Sequence, residues 1–385
     1  MRVLLVNTRP DAIQFWGGDT TQVVETQKAL RRLGVSVDLG DEASCDWSSY
    51  DLVHLFNMQT AENGLDLLNR AKAADKPAAL SPVYWDLRYA RHPDILRFGA
   101  SRWWAQFAFA MPRLAMAMDG LIYARKYRRW HQAQATLLRK VDLVLPNSVA
   151  ELEIVVARFG LPQLRARAVI VPNAVSPPTS PPADGPSQCA AGLPEGFVLM
   201  AASFHPIKGQ ARLIQAMMGE PQIPLVCVGR SRDDTPYGRY CQKLAAQRGN
   251  TFLLDAVQHG EMPLLYHRAK VHALPSLRES PGLASLEAAV WGANCVVSIH
   301  APVQEYFDHD CFVCDPMDSS SLRGAVLAAW NAQSTGRLRD RILRDFTWQR
   351  AAEETLRGYE WALERARDGS GETVSPARHD VLASG

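Results

Sequence analysis

Short apolar runs alternate with amphipathic segments along most of the chain. RVLLVN (2–7) has the composition of a buried strand, and the segment 20–34 has its apolar residues at helical spacing, with Gly34 as its stop. Further strands are predicted at SVDLG (36–40), DLVHLFN (51–57), AAL (78–80), DLVLPNS (142–148) and VIVPNAV (169–175). This alternation predicts a parallel sheet with helices on both faces.

A proline-rich segment, SPPTSPPADGPSQCAAGLPEG (176–196), then interrupts the pattern. It has no apolar period and is typical of a linker. After it the alternation restarts, with strands at 197–203, 224–229, 251–255 and 271–276 and helices from about Gly209, around 237–248 and from about Leu283. The fold class predicted is therefore α/β, with two Rossmann-like domains of parallel sheet.

Five segments follow from this pattern. They are an N-terminal Rossmann-like domain over 1–178, a Pro-rich linker over 179–195, a C-terminal Rossmann-like domain over 196–345, a helix over 346–367 and a polar, disordered tail over 368–385.

Composition narrows the protein class. With 385 residues, 47% of them hydrophobic, the chain can fill two cores, and its net charge of +2 gives no general attraction to nucleic acid. No apolar run is long enough to span a membrane, and MRVLLVN (1–7) lacks the length and cleavage site of a signal peptide. We therefore expect a cytoplasmic protein, with the inner face of the membrane as the other location considered.

Seven cysteines, an odd number scattered along the chain, indicate a reducing compartment. Cys311 and Cys314 form a CxxC, but no second CxxC or His pair stands at zinc spacing. A structural role is the favoured interpretation and a redox or metal site is the alternative. No metal and no cofactor are expected.

The segment LPSLRESPGLASLEAAVWG (274–292) carries the first candidate chemistry. Glu279 precedes a turn at Gly282, and Glu287 lies in the helix predicted from about Leu283. The unpaired N–H groups and positive dipole end of a helix start suit a diphosphate, and carboxylates accept hydrogen bonds from vicinal hydroxyls. The pattern predicts one end of a nucleotide-sugar site. The alternative is a capping charge at Glu279 and a solvated Glu287.

Two more strand–loop–helix junctions suit a ligand. In SFHPIKGQ (203–210), Lys208 stands beside a helix start and could bind phosphate, or could simply be solvated. In FWGGDTTQ (15–22), Gly17 and Gly18 expose backbone to a ligand. The latter is not GxGxxG, so a dinucleotide site is weakly supported.

LPSLRESPGLASLEAA resembles the E-x-x-x-x-x-x-x-E signature of retaining glycosyltransferases of family 4, which have the GT-B fold. Other segments fall in that family's order, namely 15–39 (its glycine loop and first helix), 145–175 (the end of its first domain), 203–217 (its lysine loop), 311–330 (its late strand and helix) and the helix after Thr347. The resemblance spans nearly all of residues 1–367. It implies two domains whose sheets face each other across a cleft, with acceptor bound in the first, donor in the second, and the C-terminal helix returning to the first.

The resemblance also implies residue roles. Glu287 would bind the ribose hydroxyls, Glu279 would contact the donor sugar, and Lys208 would neutralise the diphosphate. The donor site would further include Pro281, Gly282, Leu283, Ser203, His205, Gly229 and Arg230. Gly17 and Gly18 would line the cleft.

This chain departs from the family pattern at two places. Ser203 stands where the family usually has an Arg five residues before the lysine, and His205, Arg230 or Arg278 are candidate substitutes. The family's first-domain His is missing from SPVYWDLRY (81–89), which offers Tyr84, Trp85 and Asp86 instead. Asp86 is the candidate catalytic substitute, with a satisfied loop Asp as the alternative.

His54 and Asn57 are acceptor-site candidates, because ligands of open α/β sheets sit at the carboxyl ends of strands. The alternative for His54 is packing beneath the sheet.

Residues 88–140 combine clustered cations with aromatic side chains, eleven Arg or Lys against two Asp. Such a composition suits the interface of an anionic membrane, and peripheral contact through 97–131 would fit a lipid-linked acceptor. The alternative is helices packed in the first domain with a basic outer face. Binding of single-stranded nucleic acid is disfavoured by the near-zero net charge.

The sequence thus predicts a glycosyltransferase that moves a sugar from a nucleotide-diphosphate sugar to a hydroxyl of a glycan or lipid-linked glycan, with retention, in cell-surface polysaccharide or glycoconjugate biosynthesis. The alternatives are another GT-B enzyme, such as a sugar-nucleotide epimerase or a phosphorylase, and a catalytically silent nucleotide-sugar binding protein.

Overall fold

The computed structural model describes residues 1–12, 17–40, 46–84, 98, 106–107, 110–178, 190–279 and 281–368. The strands are β1 (Arg2–Asn7), β2 (Ser36–Leu39), β3 (Leu52–Phe56), β4 (Ala78–Ser81), β5 (Leu143–Val144), β6 (Phe197–Ala201), β7 (Leu225–Val228), β8 (Thr251–Leu254), β9 (Ala269–Leu274), β10 (Asn294–Ser298) and β11 (Phe312–Cys314). The helices are α1 (Gly18–Arg32), α2 (Ala61–Ala73), α3 (Pro112–Lys140), α4 (Val149–Phe159), α5 (Gln210–Ala216), α6 (Pro236–Arg248), α7 (Met262–Arg268), α8 (Leu283–Val290), α9 (Ala301–Phe307), α10 (Ser319–Asn331), α11 (Arg337–Asp345) and α12 (Trp348–Asp368).

The strands form two sheets whose described ladders are all parallel. The first has the order β2-β1-β3-β4-β5 and the second β11-β10-β9-β6-β7-β8. This arrangement confirms the predicted α/β class. In each sheet the strand order reverses once, between β1 and β3 and between β6 and β9, and such switch points are where open α/β sheets bind ligands.

The inner strands β1, β3 and β4 are buried on both faces because most of their side chains are apolar. Val3 and Leu5 of β1 point to one side, where they pack with α1 and α12, while Leu4 and Val6 point to the other, with α2, α3 and α4. This period of two follows from the alternation of side chains along a strand.

The C-terminal helix α12 packs on this first sheet, as predicted, and a buried polar contact ties it there. His54 of β3 shares a hydrogen bond between Nδ1 and the Tyr359 hydroxyl at 2.6 Å, and another between Nε2 and Ser81 Oγ at 2.9 Å. Tyr359 has no exposed surface and His54 is 1% exposed. Burial lowers the pKa of His54 to about 3, so the imidazole is neutral at physiological pH.

The chain divides into two units by internal contacts, and the division differs from the predicted domain boundary. Among the described residues, 1–84, 123–174 and 346–368 belong to one unit, and residue 98 with 110–122 and those within 175–345 belong to the other. The sequence predicts residues 98 and 110–122 in the first domain. Phe98 gives the physical reason, because its ring packs against Tyr237 and Tyr240 of the second unit, with centroids at 5.0 and 5.3 Å.

The strand predicted at VIVPNAV (169–175) is wrong. A single bridge joins Val144 to Ala168, after which Val169 N–H donates to the Val144 carbonyl and Val171 N–H to the Pro146 carbonyl. Val171 is followed directly by Pro172, which has no N–H to donate. A regular ladder of hydrogen bonds therefore does not extend further.

The five described cysteines are free thiols. Cys314 is packed in the core of the second unit, and Cys311 lies half-buried with its Sγ donating to the Asp308 carbonyl at 3.5 Å. Burial raises the pKa of both thiols to about 12, which disfavours the reactive thiolate. The structural interpretation of the CxxC is favoured. Cys45 and Cys189 lie outside the described residues, as do most of the predicted linker and tail.

Within the part of the chain that the structure describes, none of the helices combines the length and apolarity needed to cross a membrane.

The buried imidazole of His54 should make the stability of the protein depend on pH. Its folded pKa of about 3 lies below the ordinary value of 6.5, so the unfolded chain takes up a proton first as the pH falls. The stabilisation is complete above pH 6.5 and is lost progressively between pH 6.5 and 3, by about 1.4 kcal/mol per pH unit. Urea denaturation at pH 7 and pH 5 checks this. Between these two pH values the free energy of unfolding should fall by about 2 kcal/mol less for His54→Gln than for the wild type.

His309→Gln provides the matched control, since this imidazole is fully exposed. An equal pH dependence of wild type and His54→Gln would contradict the prediction.

Candidate functional site

Two loops meet at the switch point of the second sheet, one after β6 and one after β9. The carbonyl of Ile207 accepts a hydrogen bond from Leu277 N–H at 2.8 Å. Arg212 of α5 donates to the carbonyls of Pro206 and Pro275, at 3.0 and 3.2 Å. The lysine loop and the two-glutamate segment therefore form one continuous surface.

A glycine permits this close approach. Gly209 precedes α5 with φ +95°, and a Cβ there would lie 2.7 Å from the Pro275 carbonyl oxygen. Any other residue would strain the backbone and push the loops apart.

Lys208 and Glu279 form an ion pair across the junction. Lys208 Nζ lies 2.6 Å from Glu279 Oε2, and the two side chains are only 20% and 12% exposed. A pair this sheltered is screened less by solvent than a surface pair, and each group compensates the burial of the other. Glu279 lies directly over Gly282, where φ is +87° and a Cβ would be 2.8 Å from Glu279 Cγ. The glycine thus makes room for the carboxylate before α8 begins.

Glu287, on the second turn of α8, has a partner that the sequence did not predict. The hydroxyl of Tyr266, on α7, donates to Glu287 Oε2 at 2.7 Å. Tyr266 is 3% exposed, and its pKa is raised by burial and by the adjacent carboxylate. No motif marks this tyrosine, because the contact depends on the packing of α7 beside α8.

The remaining predicted donor residues lie around the ends of β6 and β7. Phe204 N–H donates to the Arg230 carbonyl at 2.8 Å, and a Cβ on Gly229 would fall 2.0 Å from the Ala202 carbonyl oxygen. The loops that carry Ser203 and Arg230 therefore touch, and only glycine fits at 229.

The three candidate substitutes for the missing arginine differ in burial. Arg278 is 7% exposed, whereas the residues His205 and Arg230 are more accessible. His205 Nδ1 accepts from Ile207 N–H at 3.2 Å, and its pKa is lowered by desolvation and by the charge of Lys208. At neutral pH His205 therefore contributes a neutral ring. Pro281 and Leu283 flank Gly282 at the start of α8.

At the switch point of the first sheet, Gly17, Gly18 and Asn57 come together around Asp19. Asp19 Oδ2 accepts from the side-chain amides of Asn57 at 3.1 Å and Asn7 at 3.3 Å, and Arg9 lies 3.3 Å from Oδ1. Asn57 has φ +77°, an uncommon conformation for a residue other than glycine. The sequence missed Asp19, although an acidic residue directly after a Gly-Gly pair in the first turn of a helix was the available signal.

Two predicted acceptor residues are not part of this group. Both ring nitrogens of His54 are occupied by Tyr359 and Ser81 beneath the surface, which favours the packing interpretation. The Tyr84 ring lies in the core against Phe159, with centroids 5.7 Å apart, which favours a packing role for this side chain. Trp85 and Asp86 lie outside the described residues.

The switch point between β6 and β9, called here the second switch point, has groups for two kinds of ligand. The ammonium of Lys208 and the N–H groups at the start of α8 can bind an anion, and the carboxylates of Glu279 and Glu287 can accept hydrogen bonds from hydroxyls. Among the described side chains, His, Cys, Asp and Glu do not gather in a group of three or more that could hold a metal ion.

Residues 190–342 match the family model for Glycosyl transferases group 1. The chain is 25% identical over 176 residues to the O-antigen chain mannosyltransferase B of Escherichia coli, an alignment that covers 43% of this chain and 46% of that protein. The chain thus spans about half the length of the curated relatives it matches.

Two solved structures share the fold over nearly the whole chain. A sucrose-phosphate synthase from Thermosynechococcus elongatus has a TM-score of 0.72 at 18% identity, covering 94% of this chain and 100% of that one. Anabaena HepE in complex with UDP-glucose has a TM-score of 0.61 at 15% identity, covering 96% and 99%. At these identities the likeness shows the fold, and it agrees with the predicted pair of parallel-sheet α/β domains.

Gly282→Ala should destabilise the protein more than Gly292→Ala. Both glycines have positive φ, +87° and +94°, which L-residues with a side chain rarely adopt, so both substitutions carry a backbone cost. A Cβ at 292 meets nothing within 4 Å, whereas one at 282 lies within 3 Å of Glu279 and Leu274. We expect a further loss of about 1–3 kcal/mol for Gly282→Ala in urea denaturation. Equal losses for the two variants would show that Glu279 is not held over Gly282.

Proposed function

We propose that the protein is a glycosyltransferase that moves a sugar from a nucleotide-diphosphate sugar to a hydroxyl of a glycan or lipid-linked glycan. The observation that carries this proposal is the Lys208–Glu279 ion pair at the start of α8, the helix that also bears Glu287. These residues lie within the segment that matches the Glycosyl transferases group 1 model. Retention of anomeric configuration and a role in cell-surface polysaccharide or glycoconjugate synthesis, in the cytoplasm, belong to the same proposal and rest on the resemblance to family 4.

In this proposal the donor replaces the internal ion pair. The diphosphate takes the place of Glu279 beside Lys208, and Glu279 becomes available to the hydroxyls of the sugar. Cleavage of the glycosyl–phosphate bond builds negative charge on the departing diphosphate, so the fixed ammonium and the N–H groups of Gly282 and Leu283 stabilise the transition state. The proposed transfer involves no metal ion.

We assign the acceptor to the first switch point, around Gly17, Gly18 and Asn57. The support is their convergence on the sheltered carboxylate of Asp19 and the strained backbone of Asn57, a kind of strain that clusters at functional sites. Asp86 stays the candidate catalytic group, as the sequence predicts.

A thermal-shift screen of nucleotide sugars tests the donor site. A ligand bound only to the folded protein stabilises it by about 2.7 kcal/mol at a hundredfold excess over Kd, so at least one nucleotide sugar should raise Tm by several degrees. Glu287→Ala and Lys208→Met should reduce or abolish the shift. Glu364→Ala, an exposed glutamate on α12, is the matched control and should keep it.

The screen and a turnover assay together separate the outcomes. A shift that survives in Glu287→Ala, or no shift with any nucleotide sugar, would refute the donor site. A shift without release of nucleoside diphosphate in the presence of acceptor extracts would identify a silent binding protein, and release of nucleoside diphosphate or an epimer without acceptor would identify another GT-B enzyme.

We also propose that residues 97–131 contact an anionic membrane surface. The support comes from the start of α3, where Met111 and Leu114 are 50% and 45% exposed with Arg113 between them, and from the exposed pair Arg128 and Arg129. Apolar side chains beside cations suit the interface of an anionic bilayer.

Sedimentation with vesicles tests this contact. The wild type should bind vesicles that contain phosphatidylglycerol more than pure phosphatidylcholine, and the charge reversal Arg128→Glu/Arg129→Glu should weaken binding by about tenfold or more, since each cation contributes about 1 kcal/mol. Arg32→Glu/Arg158→Glu makes the same change of charge elsewhere on the exposed surface and should bind like the wild type. Equal loss in both variants would show a general charge effect and refute a specific surface.

A further inference from the structure

We propose that Tyr266 is a positioning residue, which fixes the carboxylate of Glu287 in the orientation that recognises the vicinal hydroxyls of a ribonucleotide. This inference rests on the proposed function, because it takes Glu287 as the group that binds the ribose. It adds a residue outside the two-glutamate segment and an explanation of how the site distinguishes a ribose from a deoxyribose.

The contact joins two helices that flank the same strand. Tyr266 lies on α7, immediately before β9, and Glu287 lies on α8, which follows β9 in the chain. The hydroxyl donates to Glu287 Oε2 at 2.7 Å, a distance typical of a bond between a neutral donor and a carboxylate. At 3% exposure Tyr266 cannot itself reach a dissolved ligand, so any effect on binding acts through Glu287.

The tyrosine ring is held in place from below. It packs edge-on against His272 of β9, with centroids 6.2 Å apart and an interplanar angle of 69°. His272 has no exposed surface, and its neighbours across the sheet are Leu199 and Cys295. Tyr266 also belongs to the apolar cluster that contains Ala288 of α8. The ring therefore has little room to move, and the hydroxyl is presented at one fixed point.

A fixed donor changes what Glu287 can do. A glutamate side chain has three rotatable bonds and loses rotamer entropy when a ligand immobilises it. Because Tyr266 holds Glu287, part of this rotamer entropy is already lost when the protein folds, before any ligand arrives. Such preorganisation strengthens binding. Because burial raises the pKa of Tyr266 well above its usual value, the phenol stays a donor throughout the neutral range.

The expected signature is specific to the two ribose hydroxyls. A carboxylate in one orientation can accept from the 2′ and 3′ hydroxyls together, whereas a rotating one engages them poorly. Loss of the Tyr266 hydroxyl should therefore weaken the preference for a ribonucleotide over its 2′-deoxy form, and not only the affinity. A merely structural tyrosine would lower stability and leave that preference intact.

Isothermal titration calorimetry tests the inference with UDP, GDP and ADP, each compared with its 2′-deoxy counterpart. For the nucleotide that binds, we expect the wild type to favour the ribose form by about tenfold or more, and Tyr266→Phe to reduce that ratio by at least about threefold. Glu287→Ala should bring the ratio close to one. Tyr359→Phe is the matched control, since it removes an equally buried hydroxyl with a 2.6 Å hydrogen bond from the first unit, and its ratio should equal that of the wild type.

The outcomes separate the two proposals. A ratio that falls in Glu287→Ala but is unchanged in Tyr266→Phe overturns the positioning role alone. A wild-type ratio of one, or binding that survives in Glu287→Ala with its preference intact, overturns the ribose assignment of Glu287 and this inference with it. Melting curves for each variant establish that it is folded at the titration temperature, so that only folded proteins are compared.

Discussion

The carbonyl of Ile207 is the point on which the geometry of the second switch point depends. It accepts from Leu277 N–H and thereby holds the loop after β6 against the loop after β9. Gly209 is required for the same approach, because a side chain there would meet the Pro275 carbonyl. Lys208 and Glu279, 71 residues apart in the chain, come within 2.6 Å only because the backbones beneath them are joined in this way. The candidate chemistry is therefore a product of main-chain contacts between neighbouring parallel strands.

The sequence predicted the parts of the molecule that depend on local pattern. Alternation of apolar runs and amphipathic segments located most of the strands, although not β10. The Gly-Gly pair, the lysine loop and the two-glutamate segment follow the carboxyl ends of β1, β6 and β9. Pattern could not show Tyr266, because it acts through a neighbour supplied by another element, whereas Asp19 carried a signal that was missed. The sequence also could not distinguish a ligand-site role from a packing role for His54 and Tyr84. A polar or aromatic side chain at the end of a strand suits either role equally well. The strand expected at 169–175 does not form, although the segment is apolar, because Pro172 has no N–H for a ladder hydrogen bond.

The two switch points handle buried charge in different ways. At the second, Lys208 and Glu279 neutralise each other directly, and Glu287 is bound by a neutral hydroxyl. At the first, the carboxylate of Asp19 is held by two amides and a guanidinium. Buried carboxylates need such partners, because desolvation of an uncompensated charge is costly. In each case the compensation comes from elements on both sides of the reversal in strand order, which links the burial of the charge to the topology of the sheet.

The Lys208–Glu279 pair also places an internal competitor at the proposed donor site. A small anion such as free phosphate would have to displace a carboxylate that is already in place, and would leave Glu279 sheltered without its cation. A ligand that carries both an anionic group and hydroxyls replaces both halves of the ion pair. Its anionic group binds the lysine, and its hydroxyls bind the carboxylate. Selectivity against common cellular anions can thus arise from the resting arrangement of the protein itself, before any contact with the correct ligand is made.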